Sequence, residues 1–512
     1  MSLQEDHSIV TSHPRYQRQV IPVSYFIHTA SRDKLTALLI VVLALASQAS
    51  RGNDRNIMDP ILGHQQSFPL SEHSGSFDKN RNYELSSLIE LGLANNPQTR
   101  SAWFNALSSS AQVGQAKAPY FPKLSLNAQG GYQKSFYQIN NGPMGLRQTS
   151  LTPELNFEYL LLDFGRRAAD VRRTVALLES ANLAFSRNVQ STVYGIQQSY
   201  FAHTAALSQR DAAKANLELS KTILAMVEAQ VTNGLGTKPE LDTARKTFAQ
   251  ADFDLSSADR NVEVTLGNLR IASGLQANAP LKVVPGGNDT NSSASPYEIL
   301  GSKVDTMIDQ AILKRPDLAA RRADIAASRA AVERAKADFM PKLSLKGAYS
   351  SEPYVYTASQ PSQTGTYYGN AQGYSGFAVL SWDLFDGFQR VEKVKQSQAE
   401  ESQARANAES TRLQTTQDVW IAYNDFLKSR KKVAYADSQV ASAEENFKSA
   451  KAAFDNQLLN ITDLISNQSA LAASRFDQAG ARADYLTSLA ALSLSMGQFA
   501  PPSGSKVQPS KL

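Results

Sequence analysis

Apolar residues recur at spacings of three and four along most of the chain, which is the period of one face of an α-helix. Residues 166–231 and 390–454 are the longest such stretches, and Gly195 is the only glycine or proline in either of them. Helices of about 65 residues would run roughly 100 Å, several times the length of a typical globular helix. Such helices need neighbours along their whole length, so the pattern predicts a long coiled-coil-like assembly.

Shorter helices accompany the two long ones. The sequence predicts opening and return helices at residues 85–118, 239–273, 307–337 and 462–496. Pro97 and Pro316 are expected to stop or kink the opening helices, because proline cannot continue the helical hydrogen-bond ladder. Gly274 and Gly497 follow the return helices and are typical of C-terminal helix stops.

Four segments alternate apolar and polar residues with a period of two, which is typical of half-buried β-strands. They cover residues 124–132, 155–161, 343–349 and 378–384. The alternation covers seven to nine residues in each range, and we expect strands of about nine to eleven residues, the length of a tilted membrane-spanning strand. The segments pair into two predicted hairpins, 123–162 and 342–385. Residues 133–150 and 350–373, which are rich in Gly, Asn, Ser, Gln and Pro, are predicted to be their connecting loops.

The order of elements occurs twice. The phrase Pro-Lys-Leu-Ser-Leu begins at Pro122 and again at Pro341, 219 positions later, and Asp163 and Asp386 lie 223 positions apart. The two offsets differ by four residues, which indicates one net insertion of four residues between the two phrases. Matching phrases in the same order indicate an internal duplication. The repeats cover residues 84–275 and 299–498, with a Pro-, Gly- and Ser-rich linker at 276–298 and a flexible tail at 499–512.

An apolar run at residues 35–46 follows Arg32 and Lys34 and ends in small residues. It is too short to span a bilayer as a helix, and its flanks are typical of a secretory signal. We therefore expect a leader at 1–47 and an extended periplasmic segment at 48–83. A short buried helix is the alternative interpretation of the apolar run.

Composition excludes several classes of protein. The formal net charge is only +5, which does not provide the basic surface that nucleic-acid binding requires. The chain has no cysteine and six scattered histidines, so we expect no disulfide, no lipidated cysteine, no metal site and no cofactor. Phosphate-loop and nucleophile-elbow motifs are absent from the sequence, and we expect no enzymatic activity.

An exported chain with membrane-length strands must leave no sheet edge open in lipid. One chain supplies four predicted strands, fewer than the smallest closed barrels contain. Several copies must therefore share one barrel, and three copies would supply twelve strands. The predicted fold is mainly α-helical with membrane β-strands: duplicated long-helix hairpins form an α-helical barrel, and four strands per chain contribute to a trimeric twelve-stranded transmembrane β-barrel.

The repeated phrases carry a family resemblance over about residues 84–498. They are the openings Asn-Pro and Arg-Pro-Asp, the two Pro-Lys-Leu-Ser-Leu phrases, the Leu-x-Asp-x-Gly-x-Arg and Leu-Phe-Asp-Gly phrases, and two helical hairpin turns. In these features the chain resembles the TolC-like outer-membrane efflux proteins, also called outer membrane factors. The resemblance implies a homotrimeric conduit in the outer membrane of a Gram-negative bacterium that extends through the periplasm. It also implies docking to a periplasmic adaptor and an inner-membrane transporter of the RND or ABC type, with drugs, solutes or exported proteins as cargo.

The two helical hairpin turns are candidate gate or adaptor-contact tips by the same resemblance. Their candidate residues are Gly234, Leu235, Glu240, Gln457, Leu458 and Asp463. Three Asp463 carboxylates around a threefold axis would favour cations at the mouth of the pore. Helix capping is the alternative role, because Thr237 and Glu240 have capping-box spacing and Asp463 lies in the first turn of a helix.

Two further sets of residues are candidates for structural roles in a channel. The predicted junction between barrel and tunnel contains Pro122, Asp163, Gly165, Pro341, Asp386 and Gly387. A turn with an N-cap is the favoured interpretation of both aspartates. The predicted lipid-facing or interfacial residues are Phe157, Tyr159, Leu380 and Trp382, although Tyr159 and Trp382 are also candidates for subunit contacts. Glu158 faces the opposite side and is a candidate lumen residue.

Two other kinds of protein are compatible with parts of the pattern. A coiled-coil structural protein or surface adhesin would account for the helices, but it leaves the hairpins and duplicated phrases unexplained. A periplasmic adaptor would need a mostly β second half, whereas the second repeat is rich in alanine.

Overall fold

A computed structural model describes residues 77–139, 142–284, 304–360, 363–456 and 458–498. The predicted leader, the tail, most of the segment 48–83 and the second part of the linker lie outside these ranges, as does the predicted tip residue Gln457. The described chain divides into two compact units. The strand unit contains residues 119–162 and 342–381, and the helical unit contains the remainder.

The helical unit contains two long helices, each followed by a shorter return helix. The first repeat contributes α1 (Leu85–Asn95), α2 (Pro97–Lys117), α3 (Arg166–Thr232) and α4 (Lys238–Ala272). The second contributes α5 (Val304–Lys314), α6 (Pro316–Ala337), α7 (Gln389–Asp455) and α8 (Ile461–Ser495). Both α3 and α7 are 67 residues long, and the four long and return helices begin and end within one residue of the predicted positions.

Proline and glycine set the limits of these helices. Pro97 and Pro316 are the first residues of α2 and α6, a position where the missing N–H is not needed. Each opening helix is therefore divided in two. Gly274 and Gly497 have φ angles of +75° and +70° after the return helices, a conformation that favours glycine.

The helical unit has related cores in its two repeats. Leu88, Ile196 and Leu269 are fully buried in the first repeat, and Met307, Val419, Phe426 and Leu492 form the matching cluster in the second. A third cluster lies toward the hairpin tips and joins residues of both long helices and both return helices. Many other buried side chains are alanines, whose small size lets neighbouring helices pack closely.

A short parallel pairing adds to the first core. Strand β1 (Asn82–Tyr83) pairs with β4 (Lys282–Val283), so part of the predicted linker and part of the predicted N-terminal segment hydrogen-bond to each other. Tyr83 is buried there beside Leu281.

The strand unit is a four-stranded antiparallel sheet in the order β2-β3-β5-β6. Its strands are β2 (Lys123–Ile139), β3 (Gly142–Leu162), β5 (Lys342–Gln360) and β6 (Gln363–Ser381). These strands are 17 to 21 residues long. The prediction of strands of nine to eleven residues was therefore wrong, and so were the predicted loops at 133–150 and 350–373, because strand pairing continues through them.

Prolines explain why the outer halves of the strands resemble loops. The ladder between β3 and β5 is interrupted where Pro153 and Pro353 lie, and resumes in the same register on both sides. Proline has no N–H to donate to a ladder, so it weakens the sequence signal of a central strand. The pairing with β2 and β6 holds these segments extended despite the gap.

Candidate functional site

The two faces of the sheet differ in charge. We name as the apolar face the side that carries Leu124, Leu155, Phe157, Leu345 and Leu380, which strand register and the alternation of side chains place together. Every glutamate and lysine of the four strands, apart from Lys134, lies on the opposite side of the sheet. We name that side the charged face, and its charged residues are Lys123, Glu154, Glu158, Lys342, Lys346 and Glu352.

Charges on the charged face are partly compensated across strands. Glu158 is paired in register with Lys123 and Lys346, and the Nζ atom of Lys346 lies 3.7 Å from a carboxylate oxygen of Glu158. The amide of Gln148 donates a hydrogen bond of 3.2 Å to Glu352. This face therefore has the polarity of a surface in contact with water.

Three of the four predicted lipid-facing residues lie on the apolar face. Phe157 is paired in register with Leu124 and Gly347, and Tyr159 with Leu345. Leu380 is paired with Leu343 and is 67% exposed. Phe157 and Tyr159 are half-buried in the single chain. A surface of leucine and aromatic side chains is suited to contact with lipid or with another protein.

Trp382 lies outside the sheet, because β6 ends at Ser381. Its predicted position in a strand was therefore wrong. The indole N–H of Trp382 donates a hydrogen bond of 3.0 Å to the backbone carbonyl of Phe339. Both residues belong to the helical unit, and the bond links the chain after β6 to the chain before β5.

The first predicted junction is a tight turn before α3. Asp163 is buried, and one of its carboxylate oxygens accepts hydrogen bonds from the backbone N–H and the Nε–H of Arg167, at 2.8 and 3.1 Å. Phe164 and Gly165 both have positive φ angles, 51° and 93°. Pro122 directly precedes β2, in the strand unit.

The second predicted junction repeats this geometry before α7. One carboxylate oxygen of Asp386 accepts bonds from the backbone N–H and the Nε–H of Arg390, at 3.1 and 2.7 Å. Burial would raise the pKa of Asp386, but the hydrogen bonds and the charge of Arg390 outweigh it and lower the pKa. Gly387 and Phe388 have positive φ angles here, so the glycine and phenylalanine exchange order between the repeats. Pro341 directly precedes β5.

Both aspartates therefore bind the first turn of a long helix, from two residues before its N-cap. The N-cap positions themselves are Gly165 and Phe388. Each aspartate also fixes an arginine side chain, which the sequence did not indicate. The same aspartate–arginine contact therefore precedes the long helix in both repeats.

The tip between α3 and α4 is exposed and capped. Gly234 has a φ angle of +73°, and Leu235 is 74% exposed. The carboxylate of Glu240 accepts hydrogen bonds from the backbone N–H and the hydroxyl of Thr237, at 2.7 and 2.9 Å. These bonds lower the pKa of Glu240. Its carboxylate is therefore engaged in a capping box.

The tip between α7 and α8 is capped in a different way. The side chain of Asn460 accepts a bond of 2.8 Å from the backbone N–H of Asp463. Leu458 is 80% exposed. The Asp463 side chain is exposed, and its carboxylate forms no hydrogen bond or ion pair with a described residue. The two tip acids at equivalent positions therefore differ, since only Glu240 is used in capping.

A buried charge network joins four helices and was missed by sequence reasoning. Arg315 is only 3% exposed, and its guanidinium binds Asp317 at 2.6 Å and Asp418 at 2.9 Å. Arg187 lies 3.8 Å from Asp317 and donates to the carbonyl of Leu494 at 3.0 Å. The equivalent residue in the first repeat is Asn96, which is neutral and caps α2. The Arg-Pro-Asp phrase was visible in the sequence, but nothing in it indicated the partners from other helices.

The described residues lack two features that would indicate other kinds of site. No described helix combines the length and apolarity needed to cross a membrane. No group of three or more potential ligand residues in the described ranges is arranged to hold a metal ion.

Comparison with known proteins gives a consistent picture. The sequence profile of the outer membrane efflux protein family matches residues 88–275 and 307–498, once in each repeat. The chain is 25% identical to Protein CyaE of Bordetella pertussis over 345 residues, which are 67% of this chain and 69% of CyaE. It is 23% identical to the outer membrane protein OprJ of Pseudomonas aeruginosa over 384 residues, 74% of this chain and 76% of OprJ.

Solved structures share the fold. A crystal structure of a membrane protein from Pseudomonas aeruginosa superposes with a TM-score of 0.67 at 20% sequence identity. The superposition covers 81% of this chain and 93% of the other. The predicted fold class of long helical hairpins with a four-stranded contribution to a barrel is thereby confirmed.

Proposed function

The chain belongs to the outer membrane efflux protein family, and from this premise we propose that three copies form one conduit across the outer membrane and into the periplasm. It is the outer-membrane component of a tripartite efflux system or of a type I secretion system. Substrates move through it passively, and its place is the outer membrane of a Gram-negative bacterium.

The distribution of charge on the sheet is the observation that carries this proposal. From Tyr159 to Thr149 the apolar face carries no charged side chain on any of the four strands. The ten residue steps from Tyr159 to Thr149 measure about 33 Å, or about 25 Å in height at a tilt near 40°. This is the height of the apolar band of an outer-membrane barrel. The charged face then lines a water-filled interior.

The edges of the sheet support a shared barrel. Strands β2 and β6 are the outer strands, and each pairs with only one neighbour among the described residues. Open edges of 17 and 19 residues cannot be left unpaired in lipid. Pairing of β2 in one copy with β6 in the next satisfies both edges, and three copies close a twelve-stranded barrel.

The helical unit supports a tunnel through the periplasm. Its helices α3 and α7 each extend for about 100 Å, which is sufficient to reach far into the periplasm. Large exposed side chains, among them Phe253 of α4 and Trp420 of α7, remain on their surfaces in the single chain. Contact with helices of the other two copies would bury such side chains.

The tips are the proposed site of contact with partners. Leu235 and Leu458 are exposed at the ends of the two helical hairpins, where a periplasmic adaptor and an inner-membrane transporter of the RND or ABC type would dock. Asp463, whose carboxylate takes no part in helix capping, is the proposed acidic residue of the pore mouth at the second tip. A passive conduit takes its cargo from the transporter that supplies it.

Single-channel recording tests the proposal. The purified protein, reconstituted in a planar lipid bilayer, should form trimers with discrete ion conductance. A preparation that is trimeric and correctly inserted but never conducts, even at low pH or high voltage, would contradict a conduit function.

A further inference from the structure

Among the described residues, the apolar face carries two charged side chains, and they lie opposite each other. Lys134 of β2 and Arg147 of β3 are partners in register, and the same row continues through Thr357 of β5 to Thr366 of β6. We name these four residues the cationic row. Two like charges directly opposite each other on antiparallel strands are destabilising unless something neutralises them.

No described residue neutralises the cationic row. Lys134 and Arg147 are exposed, and neither forms an ion pair with a described residue. The described contact of Lys134 is a cation–π interaction, with Nζ 4.9 Å from the centre of the Phe136 ring. Glu154, Glu158 and Glu352 all lie on the charged face, so the sheet itself supplies no carboxylate to the row.

The position of the row indicates where its counter-charge comes from. The preceding row contains Tyr132 and Tyr368, two exposed tyrosines at the limit of the apolar band. Aromatic residues of this kind mark the membrane–water interface of outer-membrane barrels. The cationic row is one step further, about 7 Å along the strands, toward the hairpin turns and away from the ends that continue into helices. It therefore lies at the depth of lipid headgroups.

The chemistry of the row fits phosphate. Lysine and arginine both bind phosphate oxygens, arginine through two parallel N–H groups. The hydroxyls of Thr357 and Thr366 hydrogen-bond to each other at 3.1 Å in the same row, which leaves one of the two O–H groups as a further donor. The apolar band directly beside them would hold acyl chains. A headgroup phosphate joined to acyl chains satisfies both surfaces at once, whereas a free anion satisfies only the cations.

We propose that the cationic row is a binding site for the phosphate groups of an anionic lipid in the outer leaflet. The inference rests on the proposed function, because it requires the apolar face to be in the membrane. Bound lipid would neutralise Lys134 and Arg147 and fix the height of the barrel in the bilayer.

Lipid binding to the purified full-length trimer tests the proposal. Native mass spectrometry would compare wild type with the double variant Lys134→Gln/Arg147→Gln, using diphosphorylated lipid A as the probe and its phosphate-free form as the reference. About 1 kcal/mol per basic residue predicts that the double variant binds diphosphorylated lipid A roughly 30-fold more weakly. The phosphate-free lipid should bind both proteins equally and weakly.

A matched control removes two positive charges from the other face. Lys123→Gln/Lys346→Gln has the same net charge as the test variant and should keep wild-type affinity. Equal affinity of the test variant and wild type for diphosphorylated lipid A would overturn the proposal. So would full competition by inorganic phosphate at the same concentration as the lipid, which would indicate a site for free anions.

Conductance separates this inference from the proposed function. The test variant should form channels like those of wild type, because neither residue lines the charged face. Unchanged lipid affinity with normal channels would refute the lipid site alone. Absence of channels in wild type would contradict the proposed function and the lipid site with it.

Discussion

Glycines with positive φ angles occur at two kinds of position in this chain. A Cβ atom added at Gly274 would lie 2.7 Å from the backbone carbon of Asn95, and one at Gly497 would lie 2.9 Å from the Cα atom of Arg315. A Cβ atom added at Gly165 would meet nothing within 4 Å. Gly274 and Gly497 are therefore favoured by their positive φ angles and by the lack of space for a Cβ atom. Gly165 is favoured by its positive φ angle alone.

We expect Gly165→Ala to lower stability by about 1 to 2 kcal/mol, the cost of the left-handed conformation for a residue with Cβ. Gly274→Ala should cost clearly more, because the collision involves backbone that cannot rotate away. Unfolding of the detergent-solubilised protein at a fixed heating rate would compare the two variants. Equal losses at both positions would show that the contact with Asn95 has no energetic effect.

The tip acids give a second prediction at the same scale. Asp463→Asn should shift the cation preference of the channel toward equal permeability, because three carboxylates would be lost from the pore mouth. Glu240→Gln should leave selectivity unchanged, since the Glu240 carboxylate is bound to Thr237. Reversal potentials in a salt gradient measure the difference. Unchanged selectivity in Asp463→Asn would assign Asp463 to helix stabilisation only.

Glu240 should instead affect stability, and in a pH-dependent way. Its folded-state pKa is below the ordinary value, so its contribution is present above the unfolded pKa of about 4.3 and is lost as pH falls through the folded pKa. The difference in stability between wild type and Glu240→Gln should therefore be constant at neutral pH and shrink in acid.

At the scale of elements, the Arg315 network fixes the start of α6 against α7 and α8. Burial would lower the pKa of Arg315, but its bonds with Asp317 and Asp418 outweigh burial and raise it. Burial would likewise raise the pKa of Asp317, but Arg315 and Arg187 together lower it. The ion pair between Arg315 and Asp317 therefore favours the charged form of both side chains.

Arg315→Met should lower the free energy of unfolding by about 3 kcal/mol at pH 7, because Asp418 loses its ion-pair partner among the described residues and Asp317 keeps only Arg187, 3.8 Å away. Arg321→Met is a suitable control, since Arg321 lies in α6, which begins directly after Arg315, and its ion pair with Asp324 is exposed. This variant should cost about 0 to 1 kcal/mol. The lowered pKa of Asp317 means that the deficit of Arg315→Met should diminish below about pH 4. A deficit that is independent of pH would show that lost packing dominates.

The elements also show what the sequence could and could not predict. The long helices were predictable because a period near 3.6 continued for more than sixty residues with Gly195 as the one glycine and no proline in either stretch. The outer halves of the strands were not, because Pro143, Pro153 and Pro353 interrupt the apolar alternation and pairing with neighbouring strands keeps them extended. The Arg315 network could not be predicted either, since its partners come from helices distant in sequence.

At the scale of the whole molecule, the single chain is an incomplete structure. The four strands leave β2 and β6 as open edges among the described residues, and the helices leave large apolar side chains exposed. Both features have the same explanation if identical copies complete one another. Each chain contains two repeats, so three chains would place six similar repeats around the conduit.

Cross-linking between β2 and β6 tests this claim most directly. The chain has no native cysteine, so introduced cysteines can react only with each other. Gln129→Cys in β2 would be combined in turn with a cysteine at each charged-face position of β6 from Gly365 to Val379. The scan is needed because the stagger of a closed barrel shifts the register between copies.

Gln129→Cys/Thr152→Cys is the control, because these residues are partners within one chain and should form only an internal disulfide. A shared barrel predicts that at least one β2–β6 pair links three chains into a covalent trimer on a non-reducing gel. If every such pair gives only monomers while the control disulfide forms, the strands of different copies do not meet, and the proposal of one barrel shared by three chains is contradicted.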